Sequence, residues 1–250
     1  MSDSHAAQDT RGGTGERAAI LARVREALTV PTSIHVQRDR HLAYAEHANH
    51  AEESDAVGGL LPPVGASLQS RIDRFQERSE SLRSNFLTAE CTSTAAGVLG
   101  RIATDSGWKR VAVHNAPLLD QIAPHLPCDR LQIGENYDRE ALEQCDAGIT
   151  VCDALIAQTG SVLLTATSAG GRALSVLPPH HVVIATAAQL LPDLPSAFAL
   201  LASTYGKSWP SFATIITGPS RTGDIERILV LGAHGPKQLT VILINQNQEQ

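Results

Sequence analysis

The sequence predicts an α/β protein built on a mostly parallel sheet with helices on both faces. Three observations carry this. Past Cys91, short apolar runs alternate with helix-spaced segments, the pattern of strand–helix–strand units. Several of the runs, His181–Thr186 (HVVIAT) above all, are almost continuously apolar, as strands buried on both faces are. Hydrophobic residues make up 42 % of the 250 residues but aromatics only 4 %, so the core is built mainly from Ala, Val, Leu and Ile.

Taken in order, residues 1–15 read as a disordered polar tail. Ala19, Ile20, Arg23, Val24, Ala27 and Leu28 have helical spacing, and Pro31 stops that helix. Residues 31–66, with Gly58-Gly59 and Pro62-Pro63, read as an irregular arm. A second helix is expected over Ser67–Thr88, with Leu68, Ile72, Phe75, Leu82 and Phe86 as its apolar stripe. Together, residues 16–90 form an N-terminal helical extension and arm ahead of an α/β domain over 91–245. In that domain Thr92-Ser93-Thr94 resembles a cap before a helix ending at Gly107. Arg110–His114, Leu131–Ile133, Ala147–Val151, Gly160–Thr165, His181–Thr186, Phe212–Thr217 and Leu239–Ile244 read as strands. Helices are expected at Pro117–Ile122, Arg139–Gln144, Pro195–Tyr205 and near Asp224–Ile228.

Composition excludes some functions. A net charge of −6 with no basic cluster gives no footprint for nucleic acid. No run reaches the roughly 18 apolar residues of a membrane span, and the first fifteen residues lack the apolar stretch of a secretory signal, so a cytoplasmic location is expected. Cys91, Cys128, Cys145 and Cys152 show no CxxC or other tight metal spacing. They read as small buried or half-buried thiols, and no metal or iron–sulfur cluster is expected in this chain.

Thr217–Glu226 (TGPSRTGDIE) is the most informative stretch. It follows an expected strand and precedes an expected helix, whose first N–H groups favour anions. Gly218 frees the turn, Ser220 and Thr222 add hydroxyls, Arg221 adds a guanidinium fork, and Asp224 is placed to cap the helix. A capped turn with a surface Arg is equally compatible with this pattern. Nearby, His234 and Gly235 lie in a loop, GAHGP, where glycine permits close backbone approach and the imidazole can meet an anion. Thr159-Gly160-Ser161 offers hydroxyls and N–H groups at the mouth of a strand. The glycine-rich Ser168–Arg172 loop ends in a cation, Arg172, but lacks the ending of a Walker loop.

In this order, ALIAQTGSVLL, RALSVLPPHHVV, TGPSRTGDIE and LGAHGP resemble the lactate-utilisation (LUD) domain family, most closely its small one-domain members, the lactate-utilisation protein C group. The likeness spans roughly residues 90–245. It implies a fold similar to the sugar-phosphate isomerase, CoA-transferase and formyltetrahydrofolate cyclo-ligase class. It also implies a part in oxidising L-lactate to pyruvate, as one component of an L-lactate dehydrogenase-type complex. The partner subunits would carry the iron–sulfur clusters, and this chain none. The sequence departs from the family at Gln158 and Ser161, where an acidic residue and Thr are commoner. A step that needs that acidic group is not expected here.

Other constellations rank lower. His41, His47 and His50 match no zinc spacing and read as a solvated segment. Gly134-Glu135-Asn136 resembles the loop of the CoA-transferase glutamate nucleophile in three residues only. His180-His181 at a strand start could place one ring in a cleft and the other in packing, and His114 at a strand end has a similar claim. Open parallel sheets bind ligands beyond their strands' carboxyl ends. The Thr159 turn, the Thr217–Asp224 turn and His114 are therefore expected to converge on one cleft for a small anion such as lactate, pyruvate or a phosphate-bearing ligand. The alternatives are a stand-alone enzyme on a phosphorylated or CoA-linked metabolite, or a structural or regulatory protein.

Overall fold

A computed structural model describes residues 19, 21–23, 25–26, 63–134, 137–223, 229–231 and 234–245. The chain divides into two compact units, residues 1–59 and 60–250. In the first, the described residues between 19 and 26 are helical and exposed, in line with the expected first helix. The His41, His47 and His50 segment and the Glu135-Asn136 pair lie outside the described residues.

The second unit opens with α1 (Leu68–Leu82), capped by Ser67, whose side chain accepts from the Ser70 N–H. The helix is shorter than the sequence predicts. Arg83 takes a left-handed conformation at its C-cap, and Asn85–Ala89 forms β1. Phe86 therefore belongs to a strand, although it still packs on Phe75 with ring centroids 5.0 Å apart. The helical spacing continued into β1 by coincidence of apolar positions. What overrides it is pairing, because β1 lies parallel to the last strand from Asn85↔Thr240 to Ala89↔Ile244.

Next come α2 (Thr92–Asp105), β2 (Arg110–His114), α3 (Pro117–Ile122), β3 (Asp129–Ile133), α4 (Arg139–Glu143) and β4 (Ala147–Val151). The N-cap of α2 is Cys91 rather than the predicted Thr92–Thr94 group. Its thiol lies 3.0 Å from the Ser93 hydroxyl and 3.3 Å from that of Thr94, and these contacts lower its pKa to about 7. Cys145 and Cys152 are buried, and all four cysteines are free thiols. The chain goes on through β5 (Ala154–Ile156), β6 (Ser161–Thr165), β7 (His180–Thr186), β8 (Leu190–Leu191), α5 (Leu194–Tyr205), β9 (Ala213–Ile216), β10 (Arg221–Gly223), β11 (Leu229–Leu231) and β12 (Gln238–Ile244).

Six strands form one sheet in the order β1-β12-β7-β4-β2-β3, parallel throughout. The crossovers β1-α2-β2 and β2-α3-β3 advance one way across it, and the later ones return. Right-handed connections therefore put α2 and α3 on one face and the later insertions on the other. Burial agrees. Val111, Val113, Ile149, Val182, Ile184 and Ile242 pack with α2 and α3, while Val183, Ala185, Val241 and Leu243 pack with Phe75 of α1 and with Leu155 and Val162.

β5, β6, β8 and β9 do not join this sheet, although Gly160–Thr165 and Phe212–Thr217 read as members of it. They form a second sheet, β8-β5-β6-β9, in which β6 runs antiparallel to both neighbours. The reason is connection length: β5 and β6 are joined by a tight turn, which permits only an antiparallel pair. One side of this sheet lies on the parallel sheet, and the other buries Ile156 and Leu163 under Ala197 and Leu201 of α5.

Candidate functional site

The Thr217–Glu226 motif does not lead from a strand directly into a helix. Arg221, Thr222 and Gly223 form β10, paired antiparallel with Leu231, Val230 and Leu229 of β11. The N–H groups from Arg221 to Gly223 therefore belong to a hairpin stem and not to a helix start. Asp224 and the predicted helix at 224–228 lie outside the described residues. The preceding turn is tied to the GAHGP loop, since the Ser220 N–H donates to the Pro236 carbonyl at 2.8 Å. Gly235 lies in van der Waals contact range of Ser220, where a Cβ would sit 3.4 Å from the serine Cβ.

This pairing of loops encloses a cavity of about 290 Å³. Gly218, Ser220, Arg221, His234 and Gly235 line it, so five of the sequence-predicted residues are brought together. Arg221 and His234 are exposed and stand at the rim. The inner wall comes from Ser175, His181 and Leu239. His181 and Leu239 are the second residues of β7 and β12, so the cavity sits at the amino-terminal edge of the parallel sheet. The expected convergence at the carboxyl ends is not formed. The turn after β9 ends a strand of the second sheet, and its direction is independent of the parallel one.

The other predicted residues lie elsewhere. Gly160, at φ +67°, turns against α1, where a Cβ would come 2.6 Å from that of Arg78. The Ser161 hydroxyl is buried and bonds the hydroxyls of Thr159 at 2.7 Å and Thr217 at 2.8 Å. These side chains bind one another, one residue short of Gly218 and outside the cavity lining. Arg172 is exposed, and its carbonyl accepts from the Ser175 hydroxyl at 3.1 Å. Gly170, at φ +61°, lies on His114, where a Cβ would approach that of the histidine to 2.3 Å. His114 is buried at the carboxyl end of β2, and burial lowers its pKa.

The His180-His181 pair divides as strand alternation requires. His180 packs edge-on to Trp108 at 5.1 Å and contacts the Thr240 hydroxyl at 2.8 Å. His181 turns to the cavity side, with Nε2 2.9 Å from the Thr150 hydroxyl. Burial lowers the pKa of His180 to about 4, and burial followed by the nearby His180 lowers that of His181 to about 3. Both rings are thus neutral near pH 7. The unfolded chain, with histidines near 6.5, takes up protons first as the pH falls. The stability gained by burying neutral rings is complete above about pH 6.5 and is lost progressively toward pH 4 and 3. Urea midpoints are expected to fall between about pH 7.5 and 5, and to fall less in a His180→Gln, His181→Gln double variant. An equal fall in both proteins would remove the two rings from this linkage.

Sequence reasoning missed a second polar cluster. Asp153 accepts from the Ser168 hydroxyl at 2.5 Å and from the Tyr205 hydroxyl at 2.7 Å, and Ser168 Oγ also accepts from the Thr165 N–H at 3.0 Å. Only the second sheet brings these distant residues together. A larger cavity, about 560 Å³, lies at the carboxyl ends of β4 and β7 beside Ala116, Pro117 and Gln189. No described residue lining it is ionisable, so the hairpin cavity is the better candidate for an anion despite its smaller volume. Among the described residues no group of three or more His, Cys, Asp or Glu is placed to hold a metal ion, and no helix is long and apolar enough to cross a membrane.

Residues 111–244, just over half of the chain, match the model of the LUD domain. The chain belongs to the LUD domain family. A relative named lactate utilization protein C from Halalkalibacterium halodurans is 26 % identical over 197 residues, 71 % of this chain and 86 % of that protein. Proteins of the same name from Bacillus velezensis and Bacillus subtilis are 36 % and 34 % identical over 108 and 114 residues. Those matches cover 42 % and 45 % of this LUD-domain chain, and 45 % and 47 % of the relatives, less than half of their length. The crystal structure of a DUF162 family protein from Deinococcus radiodurans matches 72 % of this chain and all of its own. Its TM-score is 0.58 at 23 % identity, a likeness of fold.

Proposed function

We propose that this LUD-domain chain works in lactate utilisation as a subunit without redox centres of its own. In this reading it holds a small anion in the hairpin cavity and associates with partner subunits that carry the iron–sulfur clusters. The observation that carries the anion reading is the cavity itself, which gathers Gly218, Ser220, Arg221, His234 and Gly235 from two separate sequence motifs. A guanidinium at the rim of a partly enclosed cavity holds a carboxylate more strongly than one in open water, because the local dielectric is lower. The names of the relatives support the lactate pathway. The family resemblance supports iron–sulfur partners, and the cysteine spacing of this chain matches no common cluster motif.

Two experiments test this reading. Deleting the gene in the native host is expected to abolish lactate-dependent dye reduction, and the tagged chain is expected to bring down iron-containing partners. Survival of the activity in the deletion strain would end the subunit reading. Arg221→Ala is expected to weaken binding of the anion by about 1.5–3 kcal/mol, the worth of a hydrogen bond to a charged group. Titration calorimetry with L-lactate, pyruvate and inorganic phosphate measures this, and unchanged affinity for all three would remove Arg221 from the site.

A further inference from the structure

His114 ends β2 and takes no part in the hairpin cavity. It is 4 % exposed, and its Nε2 is buried with no hydrogen-bond partner. One edge of the ring is taken. A Cβ on Gly170 would come 2.3 Å from the histidine Cβ, 2.4 Å from Cγ and 3.0 Å from Nδ1, so the Gly170 loop lies along that edge. Burial keeps the ring neutral near pH 7, while backbone hydrogen bonds at Asn115 and Ser168 hold its one proton. Nδ1, on the Gly170 edge, carries that proton, so Nε2 carries a lone pair. The far part of the ring, with Nε2, is left for a second polar cavity of about 210 Å³, which His114 lines.

This cavity lies beside α3. Val113 and His114 from the end of β2 and Gln132 from the end of β3 bring it to the carboxyl side of the sheet, where open parallel sheets hold ligands. Asp120 of α3 and Arg130 of β3 line it as well. They do not pair with each other: the ion pairs among the described residues are Arg74–Glu77 and Arg139–Glu143. Arg130 Nη1 donates to the Ala123 carbonyl at 2.6 Å, which ties the guanidinium to the end of α3. Two exposed charges are ordinary on a protein surface. A buried lone pair without a donor beside them is not, because such atoms are costly and rare.

We propose that this cavity binds a small α-amino acid as its zwitterion, with Arg130 holding the carboxylate and with Asp120 and the His114 Nε2 lone pair accepting from the ammonium group. It is a second site, and it stands without the anion reading of the hairpin cavity. Two acceptors and one permanent cation on the same walls suit a ligand that is a cationic donor at one end and an anion at the other. About 210 Å³ is roughly seven water volumes, room for an amino acid with a short side chain and too little for a nucleotide.

The test is titration calorimetry of the full chain with glycine, L-alanine and L-serine, against propionate and ethylammonium, which carry one charge each. At least one amino acid is expected to bind about tenfold tighter than either control, the least that a hydrogen bond to a charged group contributes. Asp120→Asn and Arg130→Gln are each expected to weaken that binding about tenfold, and Arg221→Ala to leave it unchanged. Both replaced side chains are exposed, so the variants keep the fold. Nitrogen-15 histidine spectra of the unaltered protein give a readout free of any variant. The Nε2 resonance of His114 should move with the bound amino acid and stay in place with propionate. Failure of all three amino acids to bind overturns the proposal, as does binding that survives both Asp120→Asn and Arg130→Gln. Binding that falls with Arg221→Ala instead puts the amino acid in the hairpin cavity and overturns it too. A His114 resonance that does not move at saturation removes the histidine from the site and overturns the assignment.

Discussion

Replacing Phe75 with alanine is expected to lower the stability of the second unit by about 3–5 kcal/mol, the range for truncating a fully buried aromatic ring. Phe75 is completely buried. It joins α1 to Val183, Ala185, Val241 and Leu243 on one face of the parallel sheet, and it stacks tilted on Phe86 of β1. Its removal leaves a void among tightly packed side chains and strips Phe86 of its ring partner. Urea unfolding followed by far-ultraviolet circular dichroism measures the loss. A change under about 1 kcal/mol would mean that α1 is not part of the folded core.

Asp153→Ala is expected to cost about 3–6 kcal/mol. The carboxylate accepts from two hydroxyls, Ser168 at 2.5 Å and Tyr205 at 2.7 Å, and hydrogen bonds to a charged group contribute about 1.5–3 kcal/mol each. Burial, with the Asp153 carboxylate adding to it, raises the Tyr205 phenol, so the tyrosine remains a donor. Loss of Asp153 also frees the Ser168 hydroxyl, which orders the turn that begins at Thr165 and leads to Gly170 against His114. Hydrogen exchange should therefore quicken at Ala169, whose N–H is held by the Thr165 carbonyl, more than at β12. Tyr205→Phe, which removes one of the two bonds, should cost about half as much. If Asp153→Ala stays within about 0.5 kcal/mol of the unaltered protein, the cluster is a solvated surface feature and not a structural tie.

Both predictions concern elements whose location the sequence hid. α1 was visible as an apolar stripe, but its end was not, because Phe86 continues the helical spacing while its backbone pairs in a sheet. The Asp153 cluster joins residues 15 and 52 positions apart. No local pattern reports that proximity. The two loop motifs were legible as polar, glycine-bearing punctuation between apolar runs, and they do meet in one cavity. The Thr159–Ser161 turn had the same local appearance, yet its hydroxyls bind one another and Thr217.

The sequence by itself determined the layer type, most of the strands and helices past residue 91, and the family, because these follow from apolar periodicity and from motif order. It also put the His180 and His181 rings on opposite sides of a strand, since adjacent strand residues face opposite ways. Tertiary structure alone decided that β5, β6, β8 and β9 leave the parallel sheet, that Arg221 begins a hairpin, and that the cavity opens at the amino-terminal edge of the strands. The physical reason is that apolar patterning specifies which side of an element is buried but not against which neighbour. That choice is made by connection length, handedness and the packing of residues far apart in the chain.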